Sequence, residues 1–333
     1  MARETMTDEI ILTVKDLQTH FFTDEGVVKA VNGVSFSLHK GEVMGIVGES
    51  GSGKSVTNLS IMNLVQSPPG KIVGGEILFH GTDILTMDRK QTRELRGGKI
   101  AMIFQDPMTS LNPFLRISTQ MIETVQLHQK LSKKDALHKA IEMLSLAGIP
   151  AAEERIHCYP HQFSGGMCQR VMIAMGLSCN PEILIADEPT SALDVTIQAQ
   201  ILDLMTDLTA RFGTAVILIT HSLGVVAGTC DTIYVMYAGK VVERGPTAAI
   251  FAAPKHPYTR GLIESVPRLD KKNRQRLFSI PGQPPNVINL PPCCPFFPRC
   301  PEVKTPCKTA YPPQKDFGAG HSTACWNYMG GTS

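Results

Sequence analysis

The run Gly48-Glu49-Ser50-Gly51-Ser52-Gly53-Lys54-Ser55 fits the spacing G-x-x-x-x-G-K-[ST]. Glycines in such a loop let backbone N–H groups wrap a polyphosphate, and a helix that follows adds its positive end. Lys54 supplies a point charge for the β- and γ-phosphates, and the Ser55 hydroxyl is a ligand for Mg²⁺. A second run, Ile183-Leu184-Ile185-Ala186-Asp187-Glu188, is an apolar strand ending in two acids. There Asp187 can hold Mg²⁺ through its water shell, which leaves Glu188 to polarise a water for attack on the γ-phosphate. The chemistry these two runs prepare is phosphoanhydride hydrolysis.

A third set is made of thiols. Cys294, Cys300, Cys307 and Cys325 follow one another at intervals of five, six and seventeen intervening residues. Four thiolates suit Zn²⁺ or an iron–sulfur cluster. Zinc modules more often pair their ligands as C-x2-C, so these wide intervals are better matched to a larger cluster. Cys293 reads as a bystander. Cys158, Cys168, Cys179 and Cys230 stand singly and read as small buried apolar side chains.

The elements that must position these residues are legible as a pattern. VMGIVGES, KIAMIFQD, EILIADE, AVILITH and TIYVMYAG read as buried strands, short apolar runs bounded by Gly or polar residues. Helical segments such as KSVTNLSIMNLV and TIQAQILDLMTDLTARF lie between them. Continuous apolar strands alternating with helices predict an α/β fold with a mainly parallel sheet covered on both faces. The ATPase-like core is expected over residues 10–237, interrupted by a helical insertion at about 118–177. Residues 238–333 read as a separate, strand-poor and then Pro/Cys-rich module. Proline at that density excludes helix interiors and central strands, so something other than a hydrophobic core is expected to order this tail.

Composition bounds the partners. The chain has 333 residues with 32 Lys+Arg against 30 Asp+Glu, a balance that excludes the strongly basic footprint of a dedicated nucleic-acid binder. No apolar run approaches the roughly 18 residues of a membrane span, and MARETMTDEI carries acids where a signal peptide has a basic-then-apolar run. A soluble intracellular protein is expected, in which cysteines serve as thiols or metal ligands rather than disulfides. No N-K-x-D run for guanine specificity is present. His20-Phe21-Phe22 offers an aromatic face, with Phe21 as the candidate for stacking on an adenine, although a core phenylalanine on an edge strand explains it equally well.

Further segments resemble the ATPases of ABC transporters. Phe163-Ser164-Gly165-Gly166-Met167-Cys168-Gln169-Arg170 resembles their signature motif, Gln105 in Phe104-Gln105-Asp106-Pro107 their Q-loop glutamine, Ser191-Ala192-Leu193-Asp194 their D-loop, and Thr220-His221 their switch histidine. MIFQDPMTSLNP, YPHQFSGGMCQRVMIAM and LIADEPTSALDVTIQAQI narrow the resemblance to bacterial oligopeptide and dipeptide importers. So do His256-Pro257-Tyr258 with TRGLIESVPRL, PGQPPN and the cysteine cluster, which point to the D-type ATPase subunit.

The resemblance implies an ATP site formed by residues 48–55 with Val56, Gln105 and Phe21, and Mg²⁺ held by Ser55, Gln105 and Asp187. Glu188 is implied as the catalytic base and His221 as the γ-phosphate sensor. In a head-to-tail dimer Ser164, Gly165, Gly166 and Met167 would meet the partner's nucleotide, with Asp194 in the D-loop. ATP closes such a dimer and hydrolysis reopens it. The implied cofactors are ATP, Mg²⁺ and a [4Fe–4S] cluster on Cys294, Cys300, Cys307 and Cys325. The implied partners are a second, different ATPase subunit, two transmembrane permeases and an extracytoplasmic peptide-binding protein, with no nucleic acid. The expected location is the cytoplasmic face of the bacterial inner membrane, peripherally bound.

Two positions depart from the family pattern. Met167 replaces the commoner glutamine, and Ser222 follows the switch histidine where most relatives have Asp. An importer for nickel or another small solute is the nearest alternative, since the ATPase never touches cargo. A soluble ABC ATPase acting on DNA or the ribosome would want tandem ATPase domains, a long coiled coil or a basic surface. An iron–sulfur redox protein with an incidental phosphate loop is at odds with the complete set of nucleotide motifs.

Overall fold

The computed structural model describes residues 8–191, 193–266 and 279–329. Ala192 of the D-loop run and the end of TRGLIESVPRL lie outside them. The chain divides into two compact units, one of Met1–Ile11, Leu38–Glu42 and Thr86–Ile219, the other of Leu12–Ser37, Val43–Leu85 and Thr220–Ser333.

In the first unit the strands Ile100–Ile103, Ile183–Asp187 and Ala215–Thr220 run parallel, with Ile183 opposite both Ile100 and Ala215. Every residue of the latter two strands is buried. A continuous apolar run is what a strand covered on both faces requires, so the alternation rule for half-exposed strands does not apply. Between the first two strands lie the helices Ile117–Gln129, Lys133–Leu146, Ala152–Arg155 and Gly165–Leu177.

The first two of these helices form a hairpin for local reasons. Lys130 takes a left-handed conformation at the end of one, and Ser132 caps the next by accepting from the Asp135 N–H at 3.2 Å. Ile122, Val125 and Ala136 then pack together with Leu131 and Leu137 alongside.

The second unit corrects the expectation of a mainly parallel sheet. Val43–Val47 pairs in parallel with Thr232–Tyr237, but Lys240–Pro246 returns antiparallel to the latter. Ala238 and Gly239 both have positive φ, 47° and 79°, the requirement of the two-residue hairpin turn that matches strand twist. Ser322–Thr323 and Lys315–Asp316 extend this edge, so the Cys/Pro-rich tail contributes strands after all. A separate antiparallel sheet is built from Ile10–Thr23, Gly26–His39, Gly70–Phe79 and Thr82–Asp83, in the order second, first, third, fourth. The architecture is a mixed α/β fold.

The tail also has an apolar core, contrary to expectation. Tyr237, Tyr258 and Phe296 are among the largest fully buried side chains, and their rings stand 4.6 to 5.4 Å apart in tilted and edge-on pairs. Aromatic pairs of this geometry add about 0.5–1.5 kcal/mol each beyond their burial. A few large rings therefore do for this segment what aliphatic periodicity does elsewhere. No helix among the described residues is long and apolar enough to cross a membrane.

Candidate functional site

The phosphate-cradling loop lies in the second unit, between the buried strand Val43–Val47 and the helix Lys54–Ile61. Two of its glycines are obligatory. A Cβ on Gly48 would collide with the Met236 carbonyl oxygen, and one on Gly53 with that of Ala30, where φ is also 100°. The strands beneath hold the loop so closely that only a bare Cα fits. Lys54 is buried, with Nζ donating to the carbonyls of Gly48 at 2.8 Å and Glu49 at 3.0 Å. Ser55 and Val56 follow it in the first turn of the helix. Ser50 and Gly51 are at the open end, where a Cβ on Gly51 would meet nothing within 4 Å. Ser52 is buried and its carbonyl accepts from the Gly239 N–H at 2.9 Å.

Glu49 has a set of partners that motif reasoning missed. Arg299 clamps its carboxylate with two bonds, Nη1 to Oε2 at 2.6 Å and Nη2 to Oε1 at 3.0 Å. The guanidinium also donates to Tyr237 Oη at 3.3 Å and to the carbonyls of Pro281 at 3.0 Å and Ile280 at 3.3 Å. The bond to Glu49 raises the affinity of Arg299 for its proton further still. The Glu49 N–H donates to Tyr258 Oη at 2.8 Å. Burial raises the proton affinity of that phenol, which keeps it neutral. The available signal was the acid itself, because a carboxylate inside a polyphosphate loop calls for a cation.

Phe21 sits opposite Gly70 in the antiparallel sheet and is half-buried, whereas Phe22 is exposed. A Cβ on Gly70 would meet the Phe21 ring at 2.8 Å, so this ring lies over the neighbouring strand. His221 is exposed at the end of Ala215–Thr220. The Ser222 N–H donates to Thr220 Oγ1 at 3.0 Å, and Ser222 begins the helix Leu223–Thr229 without capping it through its side chain.

In the first unit, Asp187 is buried at the end of its strand and Glu188 follows with φ of 47°. The Glu188 N–H donates to the Ile219 carbonyl at 3.0 Å. Gln105 Nε2 donates to Glu188 Oε2 at 3.1 Å, which brings together two residues that are 83 positions apart. Ser164 caps Gly165–Leu177 by accepting from the Met167 N–H at 3.4 Å, so Gly165 and Gly166 form the first positions of that helix. Asp194 stands at the start of Val195–Phe212.

Cys294, Cys300, Cys307 and Cys325 line one small cavity with His256, Phe296 and Trp326, and Cys293 is not among its walls. Burial pushes the Cys294 thiol up to about 12 and the Cys325 thiol to about 11, and it raises that of Cys300. Each sulfur also faces a backbone N–H, from Phe296, Glu302, Lys304 and Asn327 in turn. Among the described residues no group of three or more His, Cys, Asp or Glu is arranged to hold a metal ion.

A glycine-cradled loop between a buried strand and a helix, on a mixed α/β sheet, defines a P-loop nucleotide-binding protein. Comparisons narrow the class. The family model for the ABC transporter matches residues 31–191, and that for the oligopeptide/dipeptide transporter C-terminal region matches residues 242–307. The chain is 52% identical over 318 residues to a probable peptide ABC transporter ATP-binding protein of Sinorhizobium fredii, covering 96% of this chain and 95% of the relative. It is 50% identical over 317 residues to the oligopeptide transport ATP-binding protein OppD of Salmonella typhimurium, covering 95% and 93%. It is 52% identical over 318 residues to the dipeptide transport ATP-binding protein DppD of Bacillus subtilis, covering 96% and 95%. Among solved structures, the ATP-binding cassette MJ0796, a dimer in a post-hydrolysis state with ADP and Pi, aligns with TM-score 0.63 and 28% identity over 71% of this chain and 98% of that one. The chain belongs to the ABC-transporter ATPase family, within its oligopeptide/dipeptide group.

Proposed function

We propose that the chain is the ATP-hydrolysing subunit of an importer for oligopeptides or dipeptides. The observation that carries this reading is the identity of about half of all residues, over nearly the full length, to peptide-transport ATP-binding proteins. In this reading Lys54, Ser55 and the amides of residues 48–53 receive the phosphates, with Val56 behind them and Phe21 toward the adenine. Asp187, Gln105 and Ser55 serve Mg²⁺, Glu188 activates water, and His221 senses the γ-phosphate. Ser164, Gly165, Gly166 and Met167 complete the nucleotide site of the other subunit in a closed dimer, beside the D-loop Asp194. Residues 10–237 are the ATPase domain with its helical insertion, and 238–333 the extension.

The companions are a second, different ATPase subunit, two transmembrane permeases and an extracytoplasmic peptide-binding protein, with this chain bound peripherally at the cytoplasmic face. Reconstitution with oligopeptide permeases and a peptide-binding protein tests the reading. ATP hydrolysis and uptake of labelled peptide should rise together, and uptake of nickel without peptide would overturn it.

For the four cysteines we propose a structural [4Fe–4S] cluster. Two features of the donor set support this. The four thiols converge on one aromatic-walled cavity, and a backbone N–H stands toward each sulfur as a donor that a ligating sulfur can use. A single zinc ion needs four sulfurs about 2.3 Å from one point, whereas a cluster spreads them around a larger body. When bound, the group would cross-link segments that proline keeps irregular. Anaerobically purified protein should be brown with iron and sulfide stoichiometric to chain; colourless protein with one zinc per chain would sink the proposal.

A further inference from the structure

We infer that Arg299 and Tyr258, both in the C-terminal extension, are positioning residues for the phosphate loop, so that ATP affinity depends on a segment outside the nucleotide motifs. This rests on the reading of residues 48–55 as an ATP site. Glu49 poses the question, because an anionic side chain stands in a loop whose task is to attract a polyanion. An unpaired carboxylate there would repel the incoming phosphates. Arg299 removes that cost with a bidentate pair, the geometry in which a guanidinium is strongest and most directional.

The clamp is itself anchored. Its remaining donors are taken by Tyr237 Oη and the carbonyls of Pro281 and Ile280, and the Arg299 side chain is 5% exposed. Tyr258 Oη fixes the backbone of the same residue by accepting its N–H. Glu49 is thus held by both its backbone and its side chain, one residue after Gly48. Lys54 Nζ bonds the carbonyls of those two residues, which links the clamp directly to the lysine that meets the phosphates. Preorganising amides that must converge on phosphate spares their ordering on binding, and the gain appears as affinity. Arg299 sits in the turn Phe297–Arg299, next to Cys300, so the order of the cysteine-lined module is communicated to the loop.

The test is a titration of the full chain with a fluorescent ATP analogue, using Arg299→Gln, Glu49→Gln, Tyr258→Phe, the Glu49→Gln/Arg299→Gln double variant and Lys54→Ala. Arg299→Gln should raise Kd about tenfold, equivalent to about 1.4 kcal/mol. The double variant should bind no worse than Arg299→Gln alone, because removing the carboxylate removes the need for its partner. That non-additivity is a result a merely structural arginine would not produce. Arg299→Gln binding within twofold of the parent, or a double variant whose losses simply add, overturns the inference. If Arg299→Gln loses its cooperative melting, Tyr258→Phe decides, and its binding within twofold of the parent overturns the inference. Lys54→Ala separates the two levels: tight binding by that variant refutes the ATP site itself, whereas its loss beside an unaffected Arg299→Gln refutes the clamp alone.

Discussion

Gln105 and Glu188 meet through a side-chain amide donating to a carboxylate, Nε2 to Oε2 at 3.1 Å. The acid is otherwise set by its backbone, whose left-handed conformation is secured by the N–H bond to Ile219. A carboxylate held by a side-chain amide loses rotational freedom. With Glu188 as the proposed water-activating base, Glu188→Gln should lower ATP turnover at least about a hundredfold, the lower bound for losing a general base. ATP affinity should stay within a few-fold, and single-turnover hydrolysis beside equilibrium binding checks both. Unchanged steady-state hydrolysis in the assembled complex would refute the assignment. Gln105→Ala should give a smaller loss of turnover, because it frees the carboxylate without removing it.

Lys54 lies with its ammonium on the carbonyls of its own loop. Lys54→Ala removes a charge-assisted contact to phosphate worth about 1.5–3 kcal/mol, or roughly ten- to a hundredfold in ATP affinity. Isothermal titration with Mg·ATP measures it directly.

The loop glycines should differ sharply in tolerance. Gly51 has φ of 77° with open space where a Cβ would go, so Gly51→Ala should cost only the left-handed penalty of about 1–2 kcal/mol. Gly53 has φ of 100° and a backbone carbonyl in that place, so Gly53→Ala must also displace a strand. Thermal melting should show the larger drop for Gly53→Ala, with ATP binding lost as well. Equal shifts would contradict the close packing of loop on sheet.

Glu243 is fully buried on Lys240–Pro246 and accepts from the N–H groups of Lys255 at 2.7 Å and His256 at 2.8 Å, with His321 Nε2 at 2.8 Å. One carboxylate thus ties this strand to the segment before Pro257–Glu264 and to the tail. Glu243→Ala leaves buried donors without an acceptor and should lower the unfolding free energy by about 3 kcal/mol. Glu243→Gln, which retains one acceptor oxygen, should cost less. Urea unfolding of both variants tests the ranking, and a shift under about 1 kcal/mol for the alanine variant would contradict it.

The chemistry of this protein was readable from local sequence because it depends on local geometry. Strand, glycine loop, lysine and helix are contiguous, so residues 43–61 announce a phosphate-binding loop in the sequence. The same holds for the acidic strand end at Asp187 and Glu188, and for the strands of the core, whose apolar runs are uninterrupted. The Ala238-Gly239 turn is also present in the sequence, but the antiparallel return that makes the sheet mixed shows only in the positive φ of both residues and the pairing that follows. Other features were not local at all. The Gln105–Glu188 bond spans 83 positions and the Arg299–Glu49 clamp spans 250. No periodicity or spacing rule relates residues so far apart, because chain folding alone sets their separation. Sequence thus determined which groups are available to handle a polyphosphate. Tertiary structure decided which of them are held still, since a hydrogen bond between distant residues exists only once burial has brought them together, as that of Tyr237, Tyr258 and Phe296 brings Arg299 to Glu49.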